Sequence, residues 1–223
     1  MLIQIVNLTK TYTIDGNIET PALRGVDLAI EKGEFTAIAG PSGSGKTSLL
    51  NLIGALDKAT SGSISYEGKD ITQIGISQLA LFRLKEIGFV FQAYNLINTL
   101  TAFENVEYVM LLQGIPLSIR RKKAQEILNR VGLGEYINRF PHQMSGGQQQ
   151  RVAVARAIVA EPKVILADEP TANLDSKTAE SLLDLMRQLN QEKGVTFIFS
   201  THDKMVMDKA KRLINLHDGK VVK

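Results

Sequence analysis

The spacing of apolar residues changes along the chain, and each change predicts a different kind of element. Leu2–Leu8 alternates loosely between apolar and polar positions, the pattern of a half-buried strand. Lys10-Thr11-Tyr12 follows, then a polar segment, Asp15–Thr20, whose Gly16 suits a hairpin tip. Ala22–Ile30 reads as a second strand and Glu31-Lys32-Gly33 as a tight turn. Glu34–Ala39 is a short apolar run of the kind buried inside a sheet, and Ser48–Ile53 reads as the start of a helix. Asp57–Gly62 breaks the pattern. Ser63–Gly68 alternates and reads as an edge strand, Ser77 stands where a cap would open a short helix reaching Lys85, and Ile87–Phe91 is a buried strand ending at Gln92.

The middle of the chain takes a helical period. Thr101 and Glu104 form a capping box ahead of Val106, Val109, Met110 and Leu112. Ser118 stands where it would cap a helix through Val131, with Gly132 after its end. Arg120-Arg121-Lys122-Lys123 falls in the first turn of that helix, against its dipole, and reads as a solvated face. Gly134–Phe140 reads as a short helix or loop closed by Pro141. From Gln148 strands and helices alternate: a helix to Ala160, a strand at Val164–Ala167, a helix at Ser176–Glu192, a strand at Val195–Ser200, a short helix from Lys204 and a strand at Arg212–Leu216. Asp218-Gly219 then turns the chain back to Val221-Val222. Such alternation predicts a parallel sheet with right-handed crossovers. The expected fold is α/β: a mostly parallel core and antiparallel β flank from residues 1–92 and 161–223, interrupted by a helical insertion over 93–160.

Composition removes several alternatives. A net charge of +3 creates no electrostatic demand for a nucleic-acid partner, and none is expected. The chain has no cysteine, which excludes disulfides, thiol chemistry and cysteine-based zinc sites. No run approaches the roughly 18 apolar residues of a membrane span, and Met1–Leu8 is too short and interrupted for a signal peptide. The expectation is a protein soluble by itself, held by a partner if it works at a membrane.

The chemistry centres on Gly40-Pro41-Ser42-Gly43-Ser44-Gly45-Lys46-Thr47, which fits G-x-x-x-x-G-K-[ST] at every fixed position and lies between a predicted strand and a predicted helix. Glycines let backbone N–H groups turn toward a phosphate, and the helix N-terminus adds partial positive charge. Lys46 is expected to reach the β- and γ-phosphates of a nucleotide, and Thr47 to ligate Mg²⁺. Val164–Ala167 ends in Asp168 and Glu169. A carboxylate ending a strand beside a phosphate loop suits the metal, which assigns Asp168; Glu169, free of the metal, suits polarising the attacking water. Ser145-Gly146-Gly147-Gln148 opens a predicted helix and makes a second anion cradle. One nucleotide does not need two cradles so far apart, unless the second closes over it from another subunit.

Met144-Ser145-Gly146-Gly147-Gln148 resembles the signature motif of ABC-type ATPases, and the other motifs of that family follow in order across the full chain. Tyr12 matches the aromatic residue that stacks on adenine, Gln92 the Q-loop glutamine, Asn173-Leu174-Asp175 the D-loop, and His202 the switch histidine. Met144 stands where leucine is usual, and Thr47-Ser48 inverts the commoner order. The resemblance implies ATP and Mg²⁺ as ligands and a head-to-tail homodimer that sandwiches two ATP. Each site would take Tyr12, the phosphate loop with Ser48, Gln92 (also toward the metal), Asp168, Glu169 and His202 from one copy. Ser145 and Gly147, flanked by Gly146 and Gln148, would come from the other, with Asp175 at the same nucleotide.

It also implies an integral membrane permease, with this subunit peripheral on the cytoplasmic side of the inner membrane. Asp15–Pro21, Asn95–Val106 and Ala172–Ser176 are similar to the lipoprotein-releasing, macrolide-export and FtsE-type branch. Within that frame an ATP-gated regulator of an envelope enzyme is one alternative, and a soluble non-transport ATPase another. Tyr94, Leu96 and Ile97 would either line a groove for the permease or pack under the helix starting at Thr101.

Overall fold

A computed structural model describes residues 1–14 and 18–222. Of the expected hairpin tip, Asp15-Gly16-Asn17 lie outside the described residues. On either side of them, β1 (Ile3–Ile14) pairs antiparallel with β2 (Ile18–Ile30). The looseness of the alternation in β1 has a local cause. Asn7 takes a left-handed backbone (φ 45°), the register shifts there, and Val6 and Asn7 both face outward between the buried Ile5 and Leu8.

β3 (Phe35–Ala39) leads into α1 (Lys46–Ile53). Next come β4 (Ser61–Tyr66) and β5 (Lys69–Asp70). The first sheet has the order β2-β1-β4-β5. The segment expected as an edge strand is therefore interior: β4 pairs with β1 on one side and with β5 on the other. Two residues are too few to carry a hydrophobic period, so β5 has no sequence signature of its own.

α2 (Ile76–Glu86) precedes β6 (Ile87–Val90). Between β6 and β7 (Val164–Asp168) lie α3 (Ala102–Leu112), α4 (Leu117–Arg130), short 3₁₀ turns at Gly134–Tyr136 and Pro141–Gln143, and α5 (Gly146–Val159). The chain closes with α6 (Ser176–Lys193), β8 (Thr196–Thr201), α7 (Lys204–Lys209), β9 (Arg212–His217) and β10 (Lys220–Val222). The second sheet has the order β10-β9-β3-β8-β7-β6; its pairs are parallel apart from β10 with β9.

Both faces of this second sheet are covered, which is why its strands read as unbroken apolar runs. Phe35, Ala37, Ile165, Ala167, Phe197 and Phe199 pack with α3–α6. Their neighbours Ile38, Val164, Leu166 and Ile198 pack with α1 and the first sheet. Successive strand residues point to opposite faces, so a single strand anchors both layers.

The capping box of α3 forms as expected: the Thr101 hydroxyl accepts from the Glu104 N–H, and the Glu104 carboxylate accepts from the Thr101 N–H at 2.8 Å. Other expected boundaries move. Ser77 and Ser118 are not caps. α2 starts after Gly75 and α4 after Pro116, neither with a side-chain cap. Proline's fixed φ and missing donor suit a helix start as well as a hydroxyl does. Gly134–Tyr136 forms a short 3₁₀ helix and the loop after it ends at Pro141, as expected; Pro141 also opens a second 3₁₀ turn, and α5 begins at Gly146, ahead of Gln148. The basic run in α4 divides: Arg121 and Lys122 are exposed, as a solvated face requires, while Arg120 meets Glu107 at 2.8 Å and Lys123 meets Glu161 at 3.0 Å. Leu96 and Tyr94 are half-buried, Leu96 against the larger core cluster, and of the three apolar residues after Gln92 only Ile97 is exposed.

Candidate active site

β3, β7 and β8 run in parallel and end together, so the loops after them share one edge of the sheet. After β3 the chain turns sharply into α1. Gly45 takes φ 101°, and a Cβ there would lie 2.5 Å from the Ala22 carbonyl oxygen. At Gly40 a Cβ would lie 2.1 Å from the Leu216 carbonyl oxygen. Only glycine fits either position. Lys46 is buried, and its Nζ donates to the carbonyls of Gly40 (2.8 Å) and Pro41 (2.9 Å). No carboxylate among the described residues pairs with it. α1 has no acidic residue in its first turn and no side-chain cap, and Ser44 Oγ is buried without a partner. A positive, under-satisfied helix start with a lysine across it is what a bound phosphate group completes.

At the end of β7, both carboxylate oxygens of Asp168 lie 3.5 Å from the Thr47 hydroxyl. Burial pushes the Asp168 carboxyl up from its ordinary value, and the Glu169 carboxylate adds to the shift. A cation would relieve both effects. Among the described residues no cluster of three or more His, Cys, Asp or Glu could hold a metal alone. A hydroxyl and one carboxylate instead suit Mg²⁺, which keeps water and takes its remaining oxygens from phosphates.

Glu169 stands in the left-handed region (φ 45°), with its N–H donating to the Ser200 carbonyl at 2.9 Å. This bend ends the strand at once and turns the carboxylate toward β8. There it accepts from the Thr201 hydroxyl (3.2 Å) and meets His202 Nδ1 (2.7 Å). The His202 side chain is 71% exposed and that of Glu169 15%, so the pair runs from the interior to the open side of the cleft.

Tyr12 stands at the far end. Its hydroxyl donates to Asp57 (3.0 Å) and lies 3.3 Å from the Ser48 hydroxyl, and Lys10 Nζ lies 4.7 Å from its ring centroid. Lys10 also donates to Asp57 at 2.7 Å. Partial burial works to raise the Asp57 carboxyl, but the hydrogen bonds from Lys10, the Lys58 N–H and Tyr12 together hold it below its ordinary value. A cleft of about 670 Å³ runs from Tyr12 past Pro41, Ser42, Gly43, Gly45, Lys46, Thr47 and Ser48 to Gln92, Glu169 and His202.

Ser145, Gly146, Gly147, Gln148 and Asp175 do not line this cleft. Ser145 and Gln148 cap the start of α5 reciprocally, at 3.3 and 2.9 Å. Asp175 caps α6 through the Thr178 N–H at 3.0 Å, and its bonds to Thr178 hold its carboxyl down. The signature glycines lean on other motifs: a Cβ at Gly146 would lie 2.7 Å from Tyr94 Oη, and one at Gly147 would lie 2.4 Å from Thr178 Cγ2. Asn173 Nδ2 donates to the Gln92 carbonyl at 2.9 Å.

Thr201, Asp57 and Lys10 are members of the site that the sequence did not reveal. Thr201 could have been suspected from its place beside His202. Asp57 lies 45 residues from Tyr12 in a segment with no period, and nothing local marks it.

Residues 23–172 match the family described as ABC transporter. The chain belongs to the ABC transporter family. It is similar over 99% of its length, at 45% identity, to a lipoprotein-releasing system ATP-binding protein of Rhodopseudomonas palustris, 98% of which it covers. It is 48% identical over 99% of its length to a macrolide export ATP-binding/permease protein of Hyphomonas neptunium, but covers only 34% of that longer chain. Among solved structures, an ATP-binding cassette captured as a post-hydrolysis dimer with ADP and Pi matches with a TM-score of 0.91 and 44% identity, over 100% of this chain and 97% of that one. The fold is that of a P-loop ATPase, and the reaction of this ABC ATPase is ATP hydrolysis.

Proposed function

We propose that this chain is the nucleotide-binding subunit of an ABC system for lipoprotein release or for export of a macrolide-like hydrophobic compound. It works as a head-to-tail dimer, peripheral on the cytoplasmic face of the membrane, and drives an integral membrane permease. The observation that carries the shared site is the separation of the two anion cradles. The Ser145–Gln148 cradle lies off the cleft formed by the phosphate loop, so it is available to the nucleotide of a facing copy. The cargo class rests on the two named relatives.

Within the cleft, Tyr12 stacks on adenine while Asp57 and Lys10 fix its ring. Lys46 and the loop amides bind the β- and γ-phosphates. Thr47 and Asp168, with the Gln92 amide beside them, would hold Mg²⁺, which when bound would supply positive charge to the phosphate oxygens. Glu169 accepts a proton from the water that attacks the γ-phosphorus, as ADP departs. His202 orients Glu169 and contacts the γ-phosphate. Ser145 and Gly147 of the second copy close the site.

The test is the assembly state of the Glu169→Gln protein, with and without Mg-ATP, by light scattering after size exclusion. ATP-dependent dimers are expected, and a monomer under every condition would contradict the reading. Capture of tagged subunit from detergent-solubilised membranes should recover a multi-span permease, and recovery of no membrane protein would remove the transport role.

A further inference from the structure

The loop that follows Gln92 is strained, and one side chain, Arg156, bonds both carbonyls of its strained pair. Tyr94 and Asn95 are consecutive non-glycine residues in the left-handed region, at φ 61° and 49°. Asparagine visits that conformation more readily than most side chains but as a single residue, tyrosine seldom does, and two in succession persist only where the surroundings enforce them. The enforcing group is Arg156, in the third turn of α5. Its Nη1 donates to the Asn95 carbonyl at 2.6 Å and its Nη2 to the Tyr94 carbonyl at 2.9 Å. Arg156 is partly buried, and no carboxylate among the described residues pairs with it. A guanidinium fork can serve two neighbouring acceptors at once, which a lysine ammonium on a flexible stem does not do with the same geometry.

α5 grips the loop at further points. Gln150 is fully buried; its Nε2 donates to the Pro170 carbonyl at 2.7 Å and reaches the Phe91 carbonyl at 3.4 Å. The Tyr94 hydroxyl rests on Gly146, where an added Cβ would lie 2.7 Å from it. The helix that begins at Ser145 therefore touches the backbone on both sides of Gln92.

We infer that Arg156 is a positioning residue for Gln92. It fixes the left-handed turn that aims Gln92 into the cleft, and it couples the Gln92 loop to the Ser145 helix so that the two move as one piece. This rests on the reading above of Gln92 as a residue at the metal and γ-phosphate.

The experiment compares Arg156→Lys, Asn95→Gly, the Arg156→Lys/Asn95→Gly double variant and Gln92→Ala in steady-state ATP hydrolysis by the full chain, alongside thermal melts. Arg156→Lys should lower kcat by about 10- to 100-fold, as small misplacements of a reacting group do, with KM for ATP little changed and the melt close to wild type. Glycine takes the left-handed conformation freely, so Asn95→Gly in that background should recover kcat by about two- to fivefold; a role in general packing would show no such recovery. Wild-type kcat in Arg156→Lys with a deficient Gln92→Ala would overturn the inference alone. A deficit in Arg156→Lys that Asn95→Gly does not relieve would also overturn it. Wild-type kcat in Gln92→Ala would overturn the reading of Gln92, and the inference with it.

Discussion

Glu169 Oε1 lies 2.7 Å from His202 Nδ1, and the two residues reach that contact from the ends of neighbouring parallel strands. The contact is made from the left-handed bend at Glu169; an extended residue there would point its side chain to one face of the sheet. Replacing Glu169 by Gln keeps the shape and removes the proposed proton acceptor. Turnover should fall by about 10²–10⁴-fold while ATP binding is retained. Because the pair acts as a unit, adding His202→Ala to Glu169→Gln should cost much less than His202→Ala does alone. Independent, multiplying losses in single-turnover assays would refute the pairing.

Tyr12 presents a ring held by its hydroxyl to Asp57 and Ser48. Tyr12→Ala should weaken ATP binding by roughly tenfold, since stacking on a base is worth about 1–3 kcal/mol. Tyr12→Phe should keep most of the affinity. Titration with a fluorescent ATP analogue checks both, and equal affinities for wild type and Tyr12→Ala would remove the stacking role.

Gly45 is constrained by conformation and by contact, with φ 101° and a Cβ position 2.5 Å from the Ala22 carbonyl. Gly45→Ala should abolish nucleotide binding and lower the melting temperature, because the loop and β2 must separate to admit a methyl group. A variant that binds ATP normally would show that the loop is not held in this form.

Glu67 ties the β4–β5 turn to Lys32 and to Lys163, which it meets at 2.7 Å. Hydrogen bonds from Lys163 and Lys32 hold its carboxyl down to about 2, from an ordinary 4.5. A depressed carboxylate contributes stability that is present above its unfolded pKa and lost as pH falls through the folded one. The melting temperature of wild type should therefore exceed that of Glu67→Gln at neutral pH. The gap should shrink between pH 4.5 and about 2, and it should also shrink in high salt because the group is exposed. A gap independent of pH would exclude the ion pairs as its source.

The parallel core was legible because β3, β7 and β8 are short apolar runs with polar residues or glycine beyond their ends, and each leads into a residue of the candidate site. The phosphate loop was legible because Gly40, Gly45 and Lys46 are required locally, by backbone conformation and by charge. Features set by distant partners were not. β4 became interior through β5, and the Tyr12 ring is oriented by Asp57. Leu96 packs half-buried against the core, a contact that no local period announces. Arg156 stands among Val154, Ala155, Ala157 and Ile158 with nothing in sequence to pair it with a turn 61 residues away.

The central claim is that each active site is built from two copies, with the phosphate loop of one and the Ser145 cradle of the other. The most direct measurement mixes two inactive proteins, Ser145→Arg and Lys46→Ala, and follows ATP hydrolysis while heterodimer formation is monitored by a tag on one of them. A heterodimer carries both lesions in one site and neither in the other. The account predicts that the mixture recovers turnover well above that of either protein alone. Heterodimers that form and hydrolyse no ATP would contradict it.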